Sequence, residues 1–357
     1  MKKILIPLIA FFSGILVITL VLVFSSETPS ISLAAFFTRP FSSWWNAGNL
    51  LNKAGLLMLA ASGAAFALKS GTFNLGGEAQ IYAPALLTAV FLSNPAIQTA
   101  GKSAQGWFFV LTLILALLTG AVIAGIPGIL RAKFRINELL TSFLLSAAIV
   151  PLIDYLISGP LRDSKKNLLA TRAIGEVFRL TPFLRPALLN ISFLIAIICT
   201  LLAWLFITKT RAGYKLTISG TAPEFARFIG FPVPATAGTG MFISGALHGL
   251  TGFFSVTGTW YLCHNGGTAG MGWSALAIAL IARGNLLAVI PSALLYAWLE
   301  TASETAVLAT RFSFDSTSLI QGVIFLVVSA RGLKKFGLYK FREKKPESRK
   351  PIKKEPL

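Results

Sequence analysis

The chain is a succession of apolar runs, most of them near twenty residues, separated by short polar or glycine-rich stretches: 4–24, 50–68, a shorter one ending at 91, 107–130, 136–157, 188–208, 235–256, a short one at 273–282, 286–307 and 319–330. About 20 apolar residues cross a bilayer as helix, so the pattern predicts an all-α polytopic membrane protein with about 10 transmembrane helices. Only 13% of the 357 residues are charged, against roughly 25% in soluble domains, too few to cover a water-soluble surface. Residues 1–330 form the expected transmembrane domain and 331–357 a basic tail. Lys2 and Lys3 precede an apolar run longer than the 7–15 residues usual in a signal peptide, which predicts a retained first span with a cytoplasmic N-terminus.

The formal net charge of +19 is placed as a membrane protein places it. Eleven of the 32 basic residues follow residue 330 and most others lie between apolar runs, whereas nucleic-acid binding calls for a basic stripe interleaved with aromatics. Nucleic acid is therefore excluded as a partner, and anionic lipid near the tail is expected. The loop 158–187, with Arg162, Lys165, Lys166, Arg172, Arg179 and Arg185, falls on the outside by alternation and breaks the charge bias. Residues 25–48 are read as an outside segment, with Trp44 and Trp45 at the interface.

Two hydrophobic elements are broken. Residues 70–80, SGTFNLGGEAQ, put Phe73, Asn74, Glu78 and Gln80 among three glycines, and residues 262–285 combine another glycine-rich stretch with a span of ten apolar residues. Each glycine costs about 1 kcal/mol in a helix interior, and irregular backbone at membrane depth is tolerated only where protein or a water-filled cavity covers it. The 70–80 stretch is either the place where something polar crosses or a re-entrant turn whose glycines serve packing. Breaks in both halves of the chain point to inverted repeats around a mid-membrane pathway.

Between the sixth and seventh runs lies KTRAGYKLTISGTAPEFARFIGFP, residues 209–232. Pro223 to Phe228 reads as a short helix with proline at its first position, Thr221 as its cap, Glu224 at its positive end, and Gly230 and Pro232 ending it. It is either a cytoplasmic helix shown to a partner or a surface linker. Glu138 and Asp154 fall at the ends of the fifth run, where solvation is expected. Glu300 and Glu304, four apart, share a helix face in either a wet vestibule or a simple interface. His248 among glycines reads as a packing residue, and Cys199 and Cys263 make no disulfide framework.

No GxxxxGK[ST], HExxH, GxSxG or Cys/His cluster is present, so neither ATP hydrolysis nor metal or acyl-transfer chemistry is expected of this chain. A membrane-embedded transferase is disfavoured because no nucleophile and base recur together. Active transport would then draw on an ion gradient or on a separate ATPase, and the organised 209–232 segment favours the second.

GTFNLGGEAQ resembles the GxFNIGxEGQ segment of bacterial ABC-importer permeases of the sugar and nucleoside branch. KTRAGYKLTISGTAPEFARFIG resembles that family's RTxxGxxxRAxGxNPxAARYAGI, and RINELLTSFLL, MFISGALHGLTG and WSALAIALIARGN resemble its VHEVIVTIML, SGALAGLAG and GIAVALLGRN. The motifs run in family order from about residue 50 to 330. The resemblance implies an inner-membrane subunit paired with a second homologous permease, a cytoplasmic ABC ATPase that binds ATP-Mg, and an extracytoplasmic substrate-binding lipoprotein. This chain itself would bind no cofactor or metal. Gly220, Pro223, Glu224, Ala226, Arg227 and Gly230 would then couple to the ATPase, and Phe73, Asn74, Glu78, Gln80, Glu300 and Glu304 would shape or support the pathway. Ala79, Thr217, Ala222 and His248 depart from the family pattern. The cargo implied is a nucleoside or related small polar metabolite, with a sugar or a riboflavin-type ligand as the alternative and an ion-coupled carrier as a further one.

Overall fold

The computed structural model describes residues 2–310, 315, 318, 319 and 321–325. The tail 331–357 and half of the expected last run lie outside the described residues. The helices are α1 (Lys2–Ser25), α2 (Pro29–Thr38), α3 (Trp44–Lys69), α4 (Gly77–Leu92), α5 (Pro95–Gln98), α6 (Lys102–Phe134), α7 (Glu138–Ser158), α8 (Ile191–Lys209), α9 (Arg211–Thr221), α10 (Pro223–Phe228), α11 (Val233–Ser255), α12 (Met271–Ile281) and α13 (Leu286–Thr310). Residues 318, 319 and 321–325 are helical as well. Among the described residues, α3, α6, α7, α8 and α13 are long and apolar enough to cross a membrane by length and composition.

Local chemistry sets several helix starts. Ser43, Asn137, Asn190 and Thr210 accept backbone N–H bonds from Asn46, Leu139, Ser192 and Gly213, so each caps the helix that follows it. The segment 25–48, read as a connection, instead holds α2 and the first turn of α3. Its only apolar cluster, SLAAFF, buries Phe36 edge-on against Trp298 of α13. Trp44 and Trp45 stay exposed in the first turn of α3.

α3 is the central post. Nearly every residue from Ala54 to Ala67 is buried, because apolar and small side chains cover its whole circumference and α8, α11, α12 and α13 pack around it. α11 crosses α6 so closely that a methyl group added at Gly245 would overlap the Gly120 carbonyl oxygen, and one added at Gly120 the Gly245 oxygen. Between helices that share an apolar solvent, such close backbone packing takes over the role that water-driven burial has in soluble folds.

α4 and α12 are short. At 1.5 Å per residue they rise about 24 Å and about 16 Å, less than the ~30 Å hydrocarbon thickness. Their N-termini meet: a Cβ at Gly77 would sit 3.0 Å from the Gly272 Cα. The connections that feed them, 70–76 and 261–270, are irregular, whereas 256–260 forms one wide helical turn.

The long connection 158–187 is pinned to the stretch that follows α11. Thr171, Ile174 and Leu180 donate backbone N–H bonds to the carbonyls of Cys263, Tyr261 and Thr257, and Asn265 donates back to Leu169. The Arg179 guanidinium lies 5.0 Å from the centre of the Tyr261 ring.

Gly245→Val should prevent the α6–α11 approach and abolish the monodisperse peak in detergent size-exclusion chromatography. Gly106→Ala, in an exposed helical turn with open space around it, should leave the profile intact and hold or raise the melting temperature.

Candidate functional site

The meeting point of α4 and α12 has free backbone donors on both sides, because the first N–H groups of any helix lack intrahelical partners. Glu78, in the first turn of α4, accepts from the N–H of Gly272 at 2.8 Å and of Trp273 at 3.3 Å, placing a carboxylate on the positive end of α12. The donors around the start of α4 are taken by α7, where the Ser142 hydroxyl accepts from the Leu75 N–H and the Ser146 hydroxyl from the Ala79 N–H, both at 3.1 Å. Four residues apart, these serines share one face of α7.

Behind the break, Asn74 and Gln80 pair their amides reciprocally. Asn74 Nδ2 donates to Gln80 Oε1 at 2.7 Å, and Gln80 Nε2 donates to Asn74 Oδ1 at 2.9 Å. The amide orientation follows from the backbone, because Asn74 Oδ1 also accepts the Gly76 N–H. Gln80 Oε1 is thus an acceptor, and His248 Nδ1, 3.0 Å away, must carry the proton. Ser244 accepts from Asn74 at 2.9 Å, joining α11 to the same cluster. The expectation that His248 is a packing residue becomes specific: it is buried and hydrogen-bonded to the broken segment.

Glu300 reaches the other side of the junction. The Ser274 hydroxyl, in the first turn of α12, donates to Glu300 Oε1 at 3.1 Å and accepts from the Tyr296 hydroxyl at 3.2 Å and from Gln321 Nε2 at 3.0 Å. Lys53 of α3 lies 3.5 Å from Glu300 and 2.6 Å from Glu304. Neither sequence alternative for these carboxylates describes both. The Glu300 side chain, 6% exposed, is packed in a polar cluster, whereas that of Glu304, 50% exposed, lies at the rim. Lys53 was not singled out from the sequence; 251 residues separate it from Glu304, a distance that leaves no local signature.

Glu138 and Asp154 lie toward the two ends of α7 and are partly exposed, and each also has protein partners that the sequence does not reveal. Glu138 forms an ion pair with Arg131 and accepts from the Phe73 N–H. Asp154 accepts from the Tyr82 hydroxyl at 2.7 Å and the Gly266 N–H at 3.2 Å. In the connection after α11, burial first and the Asp154 charge second push the Cys263 thiol up to about 12.

The segment 209–232 is more helical than expected. α9 precedes α10, and Thr221 closes α9 by donating to the Thr217 carbonyl instead of capping α10, whose N-cap position is Ala222. Pro223 opens α10 as predicted, and Gly230 leaves it with φ +81°. Glu224 and Arg227 pair on the exposed side, Ala226 faces inward, and Phe225 and Phe228 are exposed. α9 touches the break directly, since a Cβ at Gly71 would lie 2.7 Å from the Gly220 Cα. Asn74, Glu78 and Gln80 are thus gathered at one junction with Gly220 against its edge. Phe73 is exposed beside it, and α10 packs on α9 and α11 with Phe225 and Phe228 exposed.

Lys53→Met should leave Glu300 buried without its cation and lower stability by about 3–5 kcal/mol, read as a fall in melting temperature in detergent. Adding Glu300→Gln should recover part of that loss.

The chain matches the family described as branched-chain amino acid transport system permease component over residues 46–329. It is 45% identical to the probable riboflavin import permease protein of Treponema pallidum, across 93% of this chain and 86% of that protein. It is 25% identical to the guanosine ABC transporter permease protein of Bacillus subtilis over 96% and 98% of the two chains. Identity to the glucose ABC transporter permease protein of Haloferax volcanii is 27%, over 90% and 87%. No solved structure matches the chain.

Proposed function

Since the chain belongs to the branched-chain amino acid transport system permease family, and is accordingly the membrane-embedded permease subunit of an ABC importer and not an enzyme, we propose that it carries a nucleoside or riboflavin-type metabolite into the cell. It does so with a second homologous permease, a cytoplasmic ATPase that binds ATP-Mg, and an extracytoplasmic binding lipoprotein. The 45% identity to a riboflavin import permease favours a ring-bearing cargo over a simple sugar. The chain sits in the bacterial inner membrane with both termini cytoplasmic, which keeps the basic tail beside anionic lipid.

The observation that carries the coupling is the seating of Gly220 against Gly71. α9 and α10 form the ATPase-facing element, with Phe228 88% exposed at its end. Pro223, Glu224, Ala226, Arg227 and Gly230 shape that element, and Gly220 links it to the broken segment holding Phe73, Asn74, Glu78 and Gln80. A displacement of α10 by ATPase closure is thereby applied where α4 meets α12. The permease supplies alternating access, and ATP binding in the partner shifts its states through differential contacts.

The two short helices meeting head to head support an inverted-repeat arrangement of ten spans. α3 and α4 with their break correspond to α11 and α12 with theirs, α6 to α13, and α7 to the run at 319–330. Ser142 and Ser146 on the start of α4 then parallel Gln321, which donates to the Gly270 carbonyl and to Ser274 at the start of α12. Lys53 beside Glu300 and Glu304, and the backbone N–H groups on Glu78, favour ATP drive over ion coupling, because these carboxylates already have partners within the chain.

Reconstituted with its partners, the chain should show ATP-dependent uptake of labelled riboflavin or guanosine that stops when the ATPase is omitted. Glu224→Lys should leave the melting temperature of the permease unchanged while cutting uptake at least tenfold and loosening copurification of the ATPase. Normal assembly and uptake in that variant would remove Glu224 from the coupling role.

A further inference from the structure

One side of the α4–α12 junction carries a row of aromatic rings, with Trp273 and Phe325 half-buried and Phe143 exposed. Trp273, whose N–H is held by Glu78, lies between Phe143 of α7 and Phe325 of the last described stretch. The ring centroids are 6.3 Å and 6.2 Å from that of Trp273, with interplanar angles of 62° and 80°. None of these contacts is parallel, so the rings leave faces without a stacked partner. Phe143 is 41% exposed, and Phe73, whose backbone N–H meets Glu138 five residues before Phe143 on α7, is 42% exposed.

Lipid is a poor occupant for this surface. Glu78 is only partly covered, and the 70–76 backbone beside it is irregular. Carboxylates and non-helical backbone at membrane depth face protein or water-filled space, not acyl chains. A surface that sets a half-buried carboxylate beside several aromatic rings matches a solute with a flat apolar face and polar edges, because aromatic stacking binds the face while polar groups meet the edge.

We propose that Trp273, flanked by Phe143 and Phe325, is the ring-recognising subsite of the transport pathway, and that it takes a planar fused heteroaromatic bearing a polyol or sugar in preference to a free sugar. The inference rests on the permease reading above and narrows its cargo. A hexose offers a patch of C–H groups about the size of one ring, whereas a fused heteroaromatic reaches across more than one. Trp273 also joins recognition to the moving parts: its side chain stands in the ring row while its backbone N–H belongs to the Glu78 contact between α4 and α12. A ligand seated on the ring therefore bears on the junction where the two short helices meet.

The test uses the complete importer in proteoliposomes, with labelled riboflavin, guanosine and glucose as probes and Trp273→Phe, Trp273→Leu and Phe143→Leu as variants, each checked for copurification with its partners. Stacking on an aromatic residue accounts for about tenfold or more in binding. At subsaturating concentration, Trp273→Leu should lower uptake of the ring-bearing probes by about tenfold, and Trp273→Phe should stay near wild type. Phe143→Leu, on the exposed side of α7, should lower uptake without loss of assembly. Lumichrome, a ring without the polyol, should compete with riboflavin in the wild type and less in Trp273→Leu, whereas ribitol should compete in neither. Wild-type uptake by Trp273→Leu, or uptake of glucose in place of the ring-bearing probes, would overturn the ring subsite while leaving the permease reading standing. Uptake independent of the ATPase would overturn the permease reading itself.

Discussion

A single carboxylate holds the centre of this fold together. Glu78 takes the N–H groups of Gly272 and Trp273, and through it two helices too short to cross a bilayer alone are joined at their positive ends. Two helix N-termini facing each other would repel if left bare, since each carries roughly half a positive charge. The glycines at 77 and 272 let the backbones come close enough for one side chain to serve both helices. The serines of α7, the amide pair behind the break and the Ser274 cluster then satisfy what Glu78 does not reach.

This arrangement also accounts for the distribution of polar groups. Asn74, Gln80, Ser244 and His248 are buried in a chain whose charged fraction is only 13%. Asn74, Gln80 and Ser244 are joined by amide and hydroxyl bonds and His248 is bonded through Nδ1, its buried Nε2 alone lacking a partner, and the set is oriented from one backbone N–H at Gly76. Buried polar groups in hydrocarbon are tolerable when satisfied and costly when not, so the cluster fixes the register of α4 against α11. Lys53 does the same for α3 against α13.

Much of this was legible in the chain. The glycines and polar residues of 70–80 marked the interruption before α4, the ten-residue run at 273–282 marked α12, and Pro223 marked the start of α10. Local rules governed each of these. The pairing of Lys53 with Glu300 and Glu304 was not legible, nor was the bond from His248 to Gln80, because such contacts join residues more than 150 positions apart and depend on how the helices pack. The helix at 29–38 escaped because it is short and its apolar residues are divided between contacts with α13 and α1 and an exposed side. Thr221 was misassigned because α9, which it closes, has too few apolar residues to stand out beside the membrane runs.

The connection at 158–187 illustrates how misleading length can be. Its attachments to the stretch after α11, at Leu169, Thr171, Ile174 and Leu180, divide it into short spans, none with much slack. The entropy of closing a loop rises only slowly with length when the loop is free, which is why surface insertions are ordinarily tolerated. A strap fastened at intervals has no such reserve. Residues inserted between two fastenings would have to bulge outward, whereas those added in the exposed tip 164–168, which the Asp163 N–H bond to the Ala170 carbonyl closes off, would be taken up without disturbing the rest, so this one connection contains both a forgiving tip and an unforgiving strap.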